Sequence, residues 1–231
     1  MRKTILIPCY NEKNFIETVL KNVKKNIDIN DNIVVIDDGS NDGTTELLKK
    51  YESDEQINCI FNDANSGKGN AVINGLKSSK LNELILIQDA DLEYDPGDYK
   101  NIFLPFYETN ADVVYGSRFL GGAKYYRLHF FWHLIANKIL TLVCNLITNL
   151  NMTDMETGYK CFKKEAILSI NLKEKSFGIE PEITVKLSKK NFKFFEVPIS
   201  YNGRSYEEGK KIQLKDAFIA IYCIIKYKFF D

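Results

Sequence analysis

The sequence predicts an α/β fold, a doubly wound and mostly parallel sheet with helices on both faces. Two observations carry that prediction. Short β-rich runs alternate with helix-patterned segments through the first half, at a spacing that suits right-handed crossovers. Most of these runs are apolar on both faces, as strands covered above and below must be.

The strand runs are residues 4–8, 33–37, 57–61, 84–88 and 112–115, with a later signal at 194–199. Between the first two, Phe15, Ile16, Val19, Leu20 and Val23 recur at helical spacing, with Asn11 as the expected cap. A second helix follows Asp42-Gly43 and turns Leu47, Leu48 and Tyr51 inward. A third follows Gly69, with Ala71, Val72 and Leu76 inward. The second half differs in kind. Tyr125, Tyr126, Phe130, Phe131 and Trp132 crowd together with both histidines, and a long apolar stretch runs from 134 to 150. A hydrophobic run at 217–225 closes the chain before Lys226, Tyr227 and Lys228. The 231 residues suit one domain at 1–212, with halves at 1–96 and 97–212, plus a tail helix at 213–231.

The 31 lysines and arginines balance 31 aspartates and glutamates, so no global field draws the chain to nucleic acid. Affinity for phosphate must come from local clusters. The five cysteines, Cys9, Cys59, Cys144, Cys161 and Cys223, are odd in number, scattered, and form no C-x-x-C pair. That suggests neither a zinc site nor a disulfide framework, and a reducing, cytoplasmic compartment fits best. The apolar run before Asn11 and Glu12 is too short for a signal peptide, so the chain is expected to start inside its fold.

Ligands of such sheets bind beyond the carboxyl ends of the strands. There the sequence reads Pro8-Cys9-Tyr10-Asn11-Glu12, then Asp37-Asp38-Gly39-Ser40, then Asp89-Ala90-Asp91-Leu92-Glu93-Tyr94-Asp95-Pro96. Three acidic clusters in one crevice need a cation or hydrogen-bond donors to offset their repulsion. In extended backbone Asp89 and Asp91 point the same way. With Glu93 they make an all-oxygen site suited to Mg²⁺ or Mn²⁺ and ill-suited to zinc or copper. A solvated acidic turn before Asp95-Pro96-Gly97 is the other reading of the same stretch.

The segments ILIPCYNE, VVIDDGSNDGT, NSGKGNAVINGL and LIQDADLEYDP, in that order, resemble the nucleotide-binding half of glycosyltransferase family 2, an inverting family of GT-A fold. The resemblance implies that Pro8, Tyr10 and Glu12 line a nucleoside pocket and that Asp37, beside Asp38, holds the base. It implies that Lys68 lies beside the nucleotide and that Asp89 and Asp91 hold a metal–diphosphate. VVYGSRFLGG, TDMETGYKCF, FGIEPEI and EVPISYNGRSYEEGKKI extend the likeness to the polyprenyl-phosphate glycosyltransferases, the group containing dolichyl-phosphate mannose synthase. The implied reaction moves a hexose from a GDP- or UDP-sugar to a polyprenyl phosphate.

Arg118 follows a strand end, where its guanidinium suits a bidentate grip on phosphate. Arg127 sits in the aromatic loop. Arg204, Lys210 and Lys211 lie on a Gly-flanked loop placed to fold over a donor diphosphate. Asp154, Glu180 and Glu182 are candidates for a general base, but a phosphate monoester, with a second pKa of about 6, is already anionic and needs none. Two other readings stay open: transfer to a sugar hydroxyl, which requires that base, and a non-catalytic sugar-nucleotide-binding subunit.

Within 134–150, Asn137, Thr141, Asn145 and Thr148 form one polar stripe on an otherwise apolar helix. A span needs roughly 20 predominantly apolar residues, whereas a striped helix suits the membrane interface. The expectation is a peripheral protein on the cytoplasmic face of a membrane; the other reading is that both helices pack on the sheet or form a homodimer interface, and a membrane-anchor partner could supply the anchorage.

Overall fold

The structure, a computed structural model, describes residues 1–122, 127, 130–204 and 214–231. Among them, the strands are β1 (Lys3–Cys9), β2 (Asn32–Asp37), β3 (Ile57–Phe61), β4 (Leu84–Ile87), β5 (Val113–Ser117), β6 (Lys160–Lys163) and β7 (Phe194–Pro198). They form one sheet in the order β3-β2-β1-β4-β6-β5-β7. Every pairing is parallel except those of β6, which runs against both β4 and β5.

Strand β6 was not predicted from the sequence. It is four residues long, and a lysine at each end, Lys160 and Lys163, leaves only Cys161 and Phe162 as its apolar run. Lys160 is nonetheless buried, its ammonium donating to the carbonyls of Met155 at 2.8 Å and of Thr157. It also lies 4.7 Å from the centre of the Tyr115 ring.

Alternate strand residues feed two cores. Ile5 and Ile7 face one core, covered by α1 (Ile16–Lys25), α2 (Thr44–Lys49) and α4 (Tyr99–Glu108). Leu6 faces the other, covered by α3 (Lys68–Leu76), α5 (Phe131–Thr148), α7 (Ile179–Ser188) and α8 (Leu214–Phe229), with short α6 (Lys164–Leu168) adding Ile167. Helix α1 buries Ile16, Val19, Leu20 and Val23 as its periodicity requires. Its cap is Phe15, not Asn11. The Glu12 carbonyl accepts from Phe15 N and Ile16 N, so the helix begins a turn later than expected. Asn11, in the left-handed region at φ +53°, instead ties two loops together. Its N donates to Ser40 Oγ and its Oδ1 accepts from Asn41 N, both at 2.9 Å.

Helix α5 is built the opposite way. Its polar stripe faces the protein. Asn137 Nδ2 donates to Asp154 Oδ1 at 3.2 Å, Thr141 Oγ1 accepts from Met155 N at 3.1 Å, and Asn145 exchanges hydrogen bonds with Met152 backbone at 2.7 and 3.1 Å. The loop before β6 thus satisfies its polar groups on α5. Leu140 and Cys144 are buried against the core, while a second apolar face points out, Trp132 75% and Leu146 76% exposed, with Ile139 and Leu142 between them. Helix α8 packs alongside through Ala220, Cys223, Ile224 and Tyr227 and exposes Phe218, Tyr222, Ile225 and Phe229. All five cysteines are free, and four are buried: Cys9, Cys161, Cys144 in α5 and Cys223 in α8.

Candidate active site

The carboxyl ends of β1, β2 and β4 open into a cavity of about 620 Å³, the size of a small-molecule site. Pro8, Tyr10, Asp38, Lys68, Asp89, Asp91, Glu93, Arg118 and Arg204 all line it. Residues far apart in the chain, 8 to 204, therefore meet as the sequence reading expected. Glu12 stands behind them, buried, with its carboxylate on the Arg204 guanidinium at 3.2 and 3.4 Å. Asp38 fastens the wall by accepting from Asn62 Nδ2, Ser66 N and Gly67 N at 2.7–2.9 Å.

Asp37 and Arg127 do not line the cavity. Asp37 is buried and accepts from Thr45 Oγ1 and from Ser40 N at 3.2 Å, holding the turn after β2. Arg127 donates from Nη1 to the Gly203 carbonyl at 2.8 Å. Lys210, Lys211, Tyr125 and Tyr126 lie outside the described residues.

The charges interlock. Lys68 Nζ bridges Asp89 Oδ1 at 2.8 Å and Glu180 Oε1 at 2.9 Å. Burial opposes its charge, but the two carboxylates outweigh burial and hold the ammonium well above its ordinary pKa. Arg204 Nη2 meets Asp91 Oδ2 at 2.9 Å. Glu93 accepts from Tyr201 Oη and from Arg204 N, both at 2.7 Å, so it anchors the Arg204 segment. Burial, then repulsion from Asp89 and Glu93, pushes the Asp91 carboxyl well above the usual range.

These features fit a hard cation shared with a ligand. The donors are oxygens and their mutual repulsion asks for positive charge. A Cβ on Gly158 would sit 2.3 Å from Asp89 Oδ2, so the glycine keeps the approach to that oxygen clear. Among the described residues no group of three or more His, Cys, Asp or Glu side chains is arranged to hold an ion by itself. Glu93 is committed elsewhere, which leaves Asp89 and Asp91. Magnesium-like ions are often held by one or two carboxylates with substrate phosphates completing the shell.

The bidentate grip expected of Arg118 goes to the protein. Its Nε and Nη2 each meet Asp154 at 2.7 Å, and its N donates to the same carboxylate at 3.0 Å. Its guanidinium stacks 5.0 Å from the Tyr201 ring. Asp154 is thereby fully engaged. Glu182 is too: it accepts from Lys173 N and Glu174 N at 2.7–3.0 Å and pairs with Lys186 at 2.8 Å. Glu156 and Tyr201 line the cavity and were not singled out from the sequence. Glu156 lies inside TDMETGYKCF, but that run holds two acids and nothing in it says which one faces the cavity. On the far side the lining passes to Trp132, His133, Ala136 and Leu140 of α5 and Ala217 of α8.

Residues 4–170 match the family described as Glycosyl transferase family 2. The chain is 27% identical to the UDP-N-acetylglucosamine–dolichyl-phosphate N-acetylglucosaminyltransferase of Methanococcus voltae, over 97% of this chain and 95% of that protein. It is also 27% identical to a dolichol-phosphate mannosyltransferase of Pyrococcus furiosus, over 91% of this chain but 59% of that longer protein. In three dimensions it resembles glucosyl-3-phosphoglycerate synthase from Mycobacterium tuberculosis, solved with Mn²⁺, UDP and phosphoglyceric acid. The TM-score is 0.75 at 16% identity, covering 100% of this chain and 79% of that one. The sheet and this likeness establish the GT-A fold. With a family match across most of its length, the chain is a glycosyltransferase of family 2.

Proposed function

We propose that the chain moves a hexose from a nucleotide sugar to the phosphate of a polyprenyl lipid, with Mg²⁺ or Mn²⁺, at the cytoplasmic face of a membrane. One observation carries this reading: a single cavity runs from the acidic strand ends at Asp89 and Asp91 to the apolar helices α5 and α8. A polar donor and an apolar acceptor would enter from opposite ends. The names of the dolichyl-phosphate relatives support the acceptor, and the free cysteines support the compartment.

Asp89 and Asp91 would hold the metal, which when bound offsets charge on the departing diphosphate. Lys68 and Arg204 already stand on those carboxylates and supply further positive charge beside the leaving group. The acceptor phosphate oxygen forms a bond to the anomeric carbon as the bond to the nucleoside diphosphate breaks, with inversion. A phosphate monoester with a pKa of about 6 is largely dianionic at neutral pH, so no protein base is required. The engagement of Asp154 and Glu182 agrees with this.

Helix α5 is long and apolar enough to cross a membrane by length and composition. Its polar stripe is bound to the loop before β6, however, and leaving the protein would strand those groups in hydrocarbon. That supports lying in the interface, with the outer apolar face toward lipid.

The test is a screen of GDP- and UDP-sugars, with and without a polyprenyl phosphate, for nucleotide release. Release that requires the lipid phosphate is expected, silenced by chelation and by Asp91→Asn. Transfer to a sugar hydroxyl without lipid phosphate would overturn the acceptor, and full activity in excess chelator would overturn the metal.

A further inference from the structure

Two carboxylates lining the cavity have no part in the chemistry above. Glu180, on the first turn of α7, is 7% exposed. Its Oε1 is taken by Lys68, and its Oε2 is shielded from solvent with no hydrogen-bond partner. Glu156, in the loop before β6, likewise keeps its Oε1 shielded and unpartnered. Lysine 160, nearby, gives its ammonium to the Met155 and Thr157 carbonyls instead. Burial first, then the charge of Glu180, pushes the Glu156 carboxyl above the usual carboxylate range, against the pull of Lys160 and Arg118.

A carboxylate oxygen withdrawn from water with nothing to accept from is costly, and native proteins rarely keep one without a purpose. Here two share one cavity. Lys68 ties Glu180 to Asp89, so Glu180 stands one side chain away from the carboxylates assigned to the metal and diphosphate, and Glu156 lines the same cavity within reach of the charge of Glu180. The missing partners must be hydrogen-bond donors. A phosphate dianion offers none, and neither does a polyprenyl chain. Of the parts of a nucleotide sugar, the hexose next to the diphosphate is the one that presents several hydroxyl donors at that place.

We propose that Glu156 and Glu180 form the subsite that reads the transferred sugar, accepting hydrogen bonds from its hydroxyls and favouring a neutral hexose over a uronic acid. The inference rests on the transferase reading and names the residues that select its donor. Both are specificity residues for the sugar, and neither needs to touch the nucleoside.

Binding of UDP-glucose, GDP-mannose, UDP-glucuronate, UDP and GDP is measured by calorimetry with Mn²⁺, for the wild type, Glu156→Leu and Glu156→Gln. Thermal unfolding of the ligand-free proteins reports the fold. Removing the acceptor with leucine is expected to weaken the preferred neutral nucleotide sugar roughly 10- to 100-fold while leaving its diphosphate unchanged. Glutamine keeps one acceptor oxygen and is expected to lose less, while relaxing the exclusion of UDP-glucuronate. Both variants are expected to unfold at a higher temperature than the wild type without ligand, since an unpartnered buried carboxylate is gone. Equal losses for sugar nucleotide and diphosphate, or no loss for either, would overturn the subsite. Failure of the wild type to bind either diphosphate would instead overturn the donor-site reading beneath it.

Discussion

Helices α1 and α5 are both striped, and they are mounted in opposite senses. Helix α1 turns Ile16, Val19, Leu20 and Val23 to the sheet and leaves Lys21 and Lys25 in solvent. Helix α5 turns Asn137, Thr141 and Asn145 to the protein and leaves Trp132, Leu142 and Leu146 outside. The first arrangement is what folding alone produces, because burying apolar area is the main driving force. The second runs against it. An exposed apolar face of this extent, continued onto α8, marks a surface meant for something other than water.

The largest effect that would sharpen this contrast lies beneath α5. Arg118→Ala strips the partner from Asp154, whose side chain is 0% exposed and also receives Asn137. A loss of about 3–5 kcal/mol is expected in chemical denaturation, as for a broken buried ion pair. A simple rise in acceptor KM at unchanged stability would return Arg118 to the role of a dedicated phosphate ligand. Next, Leu20→Ala on α1 is expected to cost about 2–5 kcal/mol, the range for a buried leucine.

Polar substitutions should reverse between the helices. Asn137→Leu is expected to lose about 1–3 kcal/mol by removing hydrogen bonds of buried groups, whereas Lys21→Leu stays within about 0.5 kcal/mol. If Asn137→Leu were as silent as Lys21→Leu, the inward stripe would carry no structural weight. Phe131→Ser with Leu142→Ser, at exposed positions outside the cavity lining, is expected to weaken sedimentation with anionic vesicles by about tenfold or more, since each side chain stands to bury substantial apolar area. Activity on a short, water-soluble polyprenyl phosphate should survive. Unchanged vesicle binding would move the face to a protein–protein contact. The smallest effect is Leu146→Ala, expected within about 0.5 kcal/mol of the wild type. A loss as large as that of Leu20→Ala would show that protein already covers α5.

Much of this was legible in the sequence, for reasons that also mark where legibility ended. Strands β1 to β4 announce themselves because burial on both faces demands continuous apolar runs, and their acidic ends fall in one crevice once they are parallel. Strand β6 hides because Lys160 is buried by virtue of carbonyls that only the folded loop brings near. The periodicity of α5 shows which residues share a face but not which face turns inward; that depends on Met152, Asp154 and Met155 offering partners across the loop. Asp37 shows a further limit. A strand-end aspartate reads alike whether it faces a ligand or, as here, closes its own turn through Thr45 and Ser40.

The thiols give the two sides of the sheet separate clocks. Burial pushes Cys144 and Cys223 up to about 12 and Cys161 well above its usual value, so none ionises in the closed protein at neutral pH. Alkylation must wait for an opening. Cys144 and Cys223 ride on α5 and α8, whereas Cys161 lies in the sheet among the side chains packed with α1 and α4. Should α5 and α8 lift from the sheet without global unfolding, the first two would label while Cys161 stayed silent. The order in which the thiols react would then time the movement of the apolar helices apart from the unfolding of the domain that carries them.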